Sequence, residues 1–509
     1  MIISLSVLVI TIIVSGTYAL YKAQLSKNIG VNTTTHGLAY YINYVKGTDI
    51  TAATLNPSTS YEGGASSDIE FWKKDDSYDI YGKIELTVNT IGTNLKNSPA
   101  LKYAVVNNGN VLSTGSLKGT TSGSKVTILK NLYLEQTKQI YTVYVWLDNS
   151  EELGNISNES LSISVDCTAS LQKEPAADTI ISLYTNASKT AVTNNGKDYN
   201  TAPSVSLMND RLGGTTTDLD DGNIRYYGAS PNNYIYFNCS DYSNQTSSTC
   251  ETWRIIGVFD GKLKLIRGSQ IGKYSWDNKN ISTGAEDDRG KNDWTTARLM
   301  KLLNPDDYYI NDNNDKDSEG NYLGYSLYYN SASGMCFTDE GVNYSACDFT
   351  STGIKNDETR NMIAETTYNL GGWNDTGVYP NEIYEYERGT TVYTGRPTTW
   401  TGKIALAYPS DYGYAADLNQ CKQTLANYDN STCTSNNWMK AIITDNGSNH
   451  GWLLTPDSSY SFGAWYSHGN VGEYFTGAAR GAVPVLSLSS KLGIESGDGS
   501  SSNPYKLSA

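Results

Sequence analysis

The sequence predicts a multidomain protein with an N-terminal membrane or signal helix, then an all-β sandwich, then an α+β domain. Three observations lead to this fold class. The N-terminus is a long uncharged apolar run, the next region alternates apolar and polar residues as strands do, and the remainder mixes helical with strand periodicity. With 509 residues, the chain is long enough for several domains.

The N-terminal run covers residues 2–20 and reads IISLSVLVITIIVSGTYAL. It is long enough to cross a bilayer as a helix. It is also compatible with a secretory signal that ends at Thr17-Tyr18-Ala19, although no Lys or Arg precedes it. We predict that residues 1–21 form either a cleaved signal peptide or an uncleaved membrane anchor. Both alternatives place the rest of the chain outside the cell, secreted or at the cell surface.

Residues 30–168 are predicted to form the β-sandwich. Ile84, Leu86 and Val88 alternate with polar neighbours, which is the period of a half-buried strand. Asn108-Gly109 lies between apolar segments and favours a tight hairpin turn. Two further apolar strand faces are Tyr141, Val143, Val145 and Leu147, and Leu161, Ile163 and Val165. Residues 169–206 are predicted to be a linker with some local structure.

Residues 207–509 are predicted to form the α+β domain. Helical spacing of apolar residues predicts helices over residues 293–304, 357–372 and 436–444. Apolar stretches predict strands over residues 253–259, 262–267, 403–408 and 483–488. Because helices and strands do not alternate strictly, we expect an α+β arrangement and not a doubly wound sheet.

Six of the seven cysteines form three local couples, each bracketing a polar, turn-rich segment. The couples are Cys239 with Cys250, Cys336 with Cys347, and Cys421 with Cys433. Without a CxxC spacing or a nearby His, we expect disulfide bonds and not zinc sites, although spacing alone leaves other pairings open. Disulfides agree with export. Cys167 is left over and is free, buried or intermolecular.

Charge and motifs exclude several function classes. Lys and Arg number 38 against 53 Asp and Glu, so the net charge is −15, and nucleic acid is not an expected partner. No phosphate-binding or dinucleotide-binding glycine motif occurs. His36, His450 and His468 are the three histidines, and none suits a hydrolytic triad. We expect no catalytic residue, and no cofactor except calcium.

The calcium hypothesis concerns the acidic segment at residues 311–320, NDNNDKDSEG. Asp315, Asp317 and Glu319 alternate there, and Gly320 permits a sharp turn, as oxygen ligation of Ca²⁺ requires. The segment lacks the full EF-hand spacing, so a solvated loop is the alternative.

The predicted ligand-binding stretch is residues 451–480, where aromatic, amide and charged residues occur among Gly and Ser. The chain holds 40 Tyr against 7 Phe, and Tyr, Trp and Arg dominate binding surfaces. The alternative is that several of the aromatic side chains, Trp452 and Trp465 above all, belong to the core. The candidate residues are Trp452, Trp465, Tyr466, His468, Asn470, Glu473, Tyr474 and Arg480.

The N-terminal part resembles the camelysin and TasA-like secreted fibre proteins. The resemblance rests on GTYA at residues 16–19 and on IYTVYVWLDNSEELGN and LSISVDC within residues 140–167. It implies a jelly-roll sandwich that in some members assembles into matrix fibres. Protease activity has been attributed to parts of that family, but the region has no HExxH motif, so we do not expect it here.

Residues 207–509 resemble uncharacterised surface proteins of gut bacteria. The matching text includes TCETWRIIGVFDGKLKLIRG, NDWTTARLMKLLNP and VPVLSLSSKLGIESGDGSSSNPYKLS. The layout is similar to the C-type-lectin-like fold, which formylglycine-generating enzymes share with targets of diversity-generating retroelements. That resemblance implies a variable binding surface near the C-terminus. The redox-active cysteine pair of the formylglycine enzymes is missing, so catalysis is not implied.

Together these observations predict a cell-surface or secreted binding or adhesion protein with a lectin-like head and an extracellular protein or glycan as its partner. One alternative is a structural fibre or pilus-like subunit that self-assembles through the sandwich. A second alternative is an extracellular glycan-active enzyme that uses Glu385 and Glu387, whose period-two spacing would place both carboxylates on one strand face.

Overall fold

A computed structural model of the chain is mostly antiparallel β-sheet, with helices in the minority. It describes residues 23–24, 41–51, 55, 57–156, 159–211, 222–278, 284–285, 288–308, 327–330, 334–336 and 345–508. Two compact units are present. The first is Met1–Pro175 with Gly493–Asp498 and Tyr505–Ser508, and the second is Ala176–Leu492 with Gly499–Pro504 and Ala509.

The first unit is built from two sheets. Its strands are β1 (Ala23–Gln24), β2 (Ile42–Val45), β3 (Ile50–Thr51), β4 (Pro57–Ser58), β5 (Ala65–Lys73), β6 (Tyr81–Ile91), β7 (Leu101–Asn107), β8 (Asn110–Ser116), β9 (Lys125–Tyr133), β10 (Ile140–Asp148) and β11 (Leu161–Ser170), with helix α1 (Thr93–Asn97) and a 3-10 turn at Tyr61–Gly63. One sheet has the order β1-β11-β6-β9 with β3 on β11, and the other has the order β2-β5-β10-β7-β8 with β4 on β10.

The two sheets of the first unit share one apolar core, which is the arrangement of a sandwich. Ile84, Leu86 and Val88 on β6 are 0% exposed, as their alternation with polar neighbours predicts. The hairpin between β7 and β8 turns at Asn108 (φ 49°) and Gly109 (φ 79°), which confirms the predicted turn. Cys167 on β11 is a free thiol inside this core, and burial raises its pKa.

The C-terminal strands Gly493–Ser496 and Lys506–Ser508 belong to the first unit, although the sequence predicts one domain over residues 207–509. They pair with each other and are held by Asn131 of β9. The Asn131 Nδ2 donates to the carbonyl oxygens of Ile494 and Glu174, both at 3.0 Å, and its Oδ1 accepts from the Glu174 N–H at 2.7 Å. Sequence spacing could not indicate this contact, because Asn131 and Ile494 are 363 residues apart.

The second unit contains two large sheets and several short helices. Its strands are β12 (Thr190–Asn194), β13 (Lys197–Ala202), β14 (Leu207–Asn209), β15 (Ile224–Tyr226), β16 (Tyr234–Phe237), β17 (Glu251–Phe259), β18 (Lys262–Arg267), β19 (Gly272–Ser275), β20 (Gly334–Cys336), β21 (Ser345–Cys347), β22 (Thr366–Asn369), β23 (Thr399–Gly402), β24 (Ile404–Ala405), β25 (Gly451–Pro456), β26 (Gly463–Ser467), β27 (Val471–Phe475), β28 (Ala479–Ala482) and β29 (Val485–Ser487). Its helices are α2 (Ala176–Asn186), α3 (Arg298–Leu303), α4 (Asp357–Met362), α5 (Pro380–Glu387), α6 (Pro409–Tyr414), α7 (Ser431–Ser435) and α8 (Lys440–Ile443), with 3-10 turns at Pro203–Val205, Tyr242–Asn244, Asp306–Tyr308, Leu425–Asn427 and Asp445–Gly447.

The larger sheet has the order β12-β13-β14-β15-β17-β18-β29-β24, with β16 paired to β17. The smaller sheet has the order β19-β28-β25-β26-β27, and β20-β21 and β22-β23 are separate hairpins. Residues 169–206, predicted to be a linker, thus contribute α2 and the first two strands of the larger sheet. The predicted strands over residues 253–259 and 262–267 are confirmed as β17 and β18.

The predicted helices are shorter than the sequence indicates. Residues 293–304 are helical over α3 alone, and residues 436–444 over α8 alone. The helix predicted over residues 357–372 ends after Met362, and Thr366–Asn369 pairs with Thr399–Gly402 as a hairpin. This segment contains Thr366, Thr367 and Tyr368, residue types that favour strands. Its backbone hydrogen bonds are made to the partner strand and not within a helix.

Two disulfides of the second unit agree with the predicted couples. Cys239 is bonded to Cys250, and Cys421 is bonded to Cys433. Cys347 is also disulfide-bonded, and the side chain of Cys336 lies outside the described residues. The disulfides indicate an oxidising environment, which agrees with an extracellular location. The predicted signal or anchor at residues 1–21 lies outside the described residues, and no helix among those residues is long and apolar enough to span a bilayer.

A buried group of charged side chains connects the larger sheet to helix α6. The Asp411 Oδ1 accepts from the Arg225 Nη1 at 2.8 Å, and its Oδ2 accepts from the Lys264 Nζ at 2.5 Å. Arg225 also donates to Asp210 at 2.5 Å. Burial alone would raise the pKa of Asp411, yet Lys264 and Arg225 lower it to about 2. Asp411 is therefore a carboxylate that compensates two buried cations.

We expect the substitution Asp411→Asn to lower the free energy of unfolding by about 3–5 kcal/mol, because Lys264 would stay buried without a counter-charge and Arg225 would keep only Asp210. The control is Asp357→Asn, whose ion pair with Arg360 involves a carboxylate that is 90% exposed and should cost less than about 1 kcal/mol. Urea unfolding followed by tryptophan fluorescence measures both. Equal midpoints for the two variants would show that the buried network does not stabilise the unit.

Candidate functional site

The smaller sheet of the second unit carries most of the predicted ligand-binding residues. Along β26 and β27, Trp465 lies opposite Glu473, and Tyr466 lies opposite Gly472. Because successive side chains of a strand point to opposite faces, Trp465 and Glu473 share one face, while Tyr466 and Tyr474 share the other. The predicted set is therefore divided between two environments.

Trp452 and Trp465 belong to the core, which is the alternative that the sequence left open. They are 1% and 0% exposed. The Trp452 Nε1 donates to the Tyr274 carbonyl at 2.9 Å, and the Trp465 Nε1 donates to the Trp373 carbonyl at 3.2 Å. Because both indoles are buried and their N–H groups donate to backbone carbonyls, neither ring presents a face to a ligand.

Arg480 lies at the centre of an aromatic cluster. Its guanidinium carbon is 3.9 Å from the ring centroid of Tyr466, 4.4 Å from that of Tyr474 and 5.4 Å from that of Trp452. Arg480 is 9% exposed, whereas Tyr474 is 42% exposed. A guanidinium over aromatic faces is a favourable electrostatic contact, and its strength increases as water is removed.

Two histidines complete the cluster. The Arg480 Nη1 is hydrogen-bonded to the His450 Nδ1. The His450 ring centroid is 4.7 Å from that of His468 and 5.3 Å from that of Tyr466, and His468 is exposed. Sequence analysis did not include His450 among the ligand-binding residues. The position of His450 directly before the strand that carries Trp452 could have indicated that it belongs to the cluster.

The cluster has a positive charge without a negative partner. Burial lowers the pKa of His450 first, and the charges of Arg480, His468 and Lys273 lower it further. Among the described residues, no carboxylate forms an ion pair with Arg480, and the Arg480 Nε has no hydrogen-bond partner. We call Arg480, His450, Tyr466, His468 and Tyr474 the Arg480 site.

Asn470 and Glu473 have different surroundings. Asn470 is half-buried in the turn between β26 and β27, and its Oδ1 has no hydrogen-bond partner. Glu473 shares its face with Trp465, away from Tyr474. Burial, a hydrogen bond to Asp457 and the charges of Asp457 and Asp375 raise the pKa of Glu473 to about 8. Glu473 is therefore mostly protonated at neutral pH.

Glu385 and Glu387 do not share a strand face, which corrects the geometry expected for a glycan-active enzyme. Both lie on helix α5, where residues two apart point in different directions. Glu387 is fully buried and accepts from the Ser410 N–H at 2.9 Å and the Ser410 Oγ at 2.5 Å. Burial raises its pKa to about 7, whereas Glu385 is exposed. The two carboxylates form no paired site.

Metal binding is not evident in the described part of the chain, where no group of three or more His, Cys, Asp or Glu side chains could hold an ion. The calcium hypothesis for Asp315, Asp317 and Glu319 stays a prediction, because residues 309–326 lie outside the described ranges.

Comparisons with known proteins add little to this geometry. No protein-family model matches the chain, and no curated protein matches it. A solved structure with partial similarity is the receptor-binding domain of botulinum neurotoxin mosaic serotype C/D, with 13% identity over 52% of this chain and 75% of that chain, and a TM-score of 0.16. At that TM-score the similarity carries no argument about fold or function.

We expect Glu473→Gln to remove a pH-dependent loss of stability. The pKa of Glu473 is raised from 4.5 to about 8 on folding. Its contribution to the free energy of unfolding is therefore fully present below pH 4.5 and is lost as pH rises through about 8. The amide mimics the protonated acid. At high pH the variant should therefore melt about 2 °C above the wild type, and at low pH the two should melt at the same temperature. The shift is small because solvent reaches Glu473.

Melting temperatures measured across this pH range check the expectation. The control is Glu385→Gln, which removes an exposed carboxylate from helix α5 and should show the same difference from the wild type at every pH. A Glu473→Gln variant that melts in parallel with the wild type at all pH values would contradict the raised pKa of Glu473.

Proposed function

We propose that this chain is an extracellular binding protein, secreted or held at the cell surface, whose second unit recognises a protein or glycan through the Arg480 site. One observation carries the proposal. Arg480 is a nearly buried cation to which no described residue supplies an acidic partner, and one of the aromatic rings around it, Tyr474, is 42% exposed. Aromatic and Arg side chains in this arrangement are typical of binding hot spots.

The proposal includes a C-type-lectin-like fold for the second unit and an attachment or export signal at residues 1–21. The support is the resemblance of residues 207–509 to surface proteins of gut bacteria, the uncharged N-terminal run and the disulfides. Diversification of the site by a retroelement is part of the same resemblance. It requires a nearby reverse transcriptase gene and a near-copy of the codons for residues 452–480 that differs mainly at adenines.

We propose binding and not catalysis, because the two carboxylates considered for glycan cleavage, Glu385 and Glu387, do not form a pair. Both carboxylate oxygens of Glu387 accept hydrogen bonds from Ser410, whereas Glu385 is exposed on the surface of α5. The Arg480 site holds no carboxylate that could act as a general acid beside its rings. The function that this chemistry supports is recognition.

We expect Tyr474→Ala to weaken ligand binding at least about ten-fold, because truncating a central aromatic residue commonly costs more than about 1.4 kcal/mol. The measurement is retention of the labelled full chain on an array of glycans and extracellular proteins. Tyr460→Ala is the matched control, since Tyr460 is 56% exposed and contacts Phe462 outside the site. Equal retention of both variants on every ligand of the wild type would place binding elsewhere.

Self-assembly through the sandwich is a second candidate function, and strand β8 favours it. β8 is the last strand of its sheet in the described part of the first unit, and its sequence NVLSTGS contains no charged residue and no Pro. Val111 is 39% exposed. Natural edge strands usually carry charges, Pro or covers that prevent pairing with another chain. β8 has neither charge nor Pro, and the Ser496 Oγ donates to its Leu112 carbonyl at 3.2 Å, so the rest of the edge is the template for strand addition.

We expect Val111→Lys to reduce self-assembly, because a charge on the edge would have to be buried against the next copy. Sedimentation velocity of the full chain without ligand measures the assembly. Tyr78→Lys places the same charge on another exposed apolar residue in a bend, and should leave assembly unchanged. A wild type that stays monomeric at high concentration would remove this candidate.

A further inference from the structure

The charge balance around Arg480 differs from that of the other buried cations in the second unit. Arg225 and Lys264 are compensated by Asp210 and Asp411. Arg480 has no such carboxylate among the described residues, and burial lowers its pKa. Its Nε is buried and without a hydrogen-bond partner. A buried charge without compensation is costly, so this position favours any anion that reaches it.

The groups next to Arg480 strengthen the same preference. After burial, the charges of Arg480, His468 and Lys273 lower the pKa of His450. This concentration of positive charge occurs in a chain whose net charge is −15. A local patch of opposite sign attracts anionic ligands, although the rest of the surface repels them.

The aromatic rings define the other half of the ligand. Tyr474 is 42% exposed and lies edge-on to Tyr466, with ring centroids 6.3 Å apart, so it presents a flat apolar face beside the guanidinium. Tyr hydroxyls and imidazole nitrogens around this face donate and accept hydrogen bonds. A sugar ring matches such a surface, because it combines an apolar C–H face with hydroxyl groups at its edge.

We infer that the Arg480 site binds an acidic saccharide, with its carboxylate or sulfate group against Arg480 and its sugar ring against Tyr474. The inference rests on the proposed function and adds the chemical class of the ligand. The anionic group would supply the missing counter-charge, and the ring would cover the exposed aromatic face. A neutral saccharide would leave Arg480 uncompensated and bind less tightly.

The test uses the full chain and three matched hexasaccharides, measured by isothermal titration calorimetry. One alternates glucuronate with N-acetylglucosamine, the second is its carboxyl-reduced form, and the third carries sulfate groups on the carboxyl-reduced form. The acidic probes are expected to bind at least about ten-fold more tightly than the neutral one, and to weaken as salt rises from about 50 to about 500 mM. The preferred acidic probe identifies the anionic group as carboxylate or sulfate.

Variants connect the preference to Arg480. Arg480→Gln should abolish the difference between acidic and neutral probes, Arg480→Lys should retain part of it, and Lys491→Gln, which removes an exposed charge elsewhere in the unit, should leave it intact. Because Arg480 is nearly buried, near-ultraviolet circular dichroism checks folding. If Arg480→Gln does not fold, three other measurements test whether the ligand is an acidic saccharide. They are the comparison of probes with the wild type, the salt dependence of its binding, and the loss of binding in Tyr474→Ser.

Two results would overturn the inference. If neutral and acidic probes bind equally and Tyr474→Ser weakens both, the proposed binding function stands while the acidic class is wrong. If none of the three saccharides binds, and a peptide or protein ligand is retained in a Tyr474-dependent manner, the ligand class is again wrong. Loss of every ligand on the array would instead remove the proposed function itself.

Discussion

Asp411 compensates two cations in a place that water does not reach, and the arrangement of the second unit depends on this contact. Arg225 comes from β15 and Lys264 from β18, whereas Asp411 comes from the short helix α6. Removing any one of them would leave a buried charge, which costs far more than an exposed ion pair contributes. The helix is therefore held against the larger sheet in one position, and its neighbours Tyr412 and Tyr414 are buried with it.

Arg225 and Arg480 are the same residue type in two electrostatic situations. Arg225 donates to two carboxylates and is surrounded by the rings of Phe259, Tyr384 and Tyr414. Arg480 has similar aromatic surroundings, but no carboxylate among the described residues pairs with it. Burial and aromatic contacts alone therefore do not distinguish the two arginines. The difference lies in the counter-charge, which Asp210 and Asp411 supply to Arg225.

The smaller sheet divides its side chains between two faces through the alternation of its strands. Trp465 and Glu473 share one face, on which the indole is buried in the core while Glu473 is exposed, and desolvation together with Asp457 raises the pKa of Glu473. Tyr466 and Tyr474, one residue further along each strand, face Arg480. Because the side-chain period of a strand is two, a shift of one residue in the pairing of β26 and β27 would exchange the two environments.

The sequence was sufficient to predict the strand faces of the first unit, the Asn108-Gly109 turn, and strands β17 and β18, because these depend on local periodicity and turn chemistry. It placed Tyr466, His468, Tyr474 and Arg480 in one candidate stretch. The folded structure shows that Trp452 and Trp465 are core residues, that Glu385 and Glu387 lie on a helix, and that His450 contacts Arg480. It also assigned the C-terminal strands to the first unit through Asn131. These outcomes depend on contacts between residues far apart in sequence, and on burial, which local patterns do not encode.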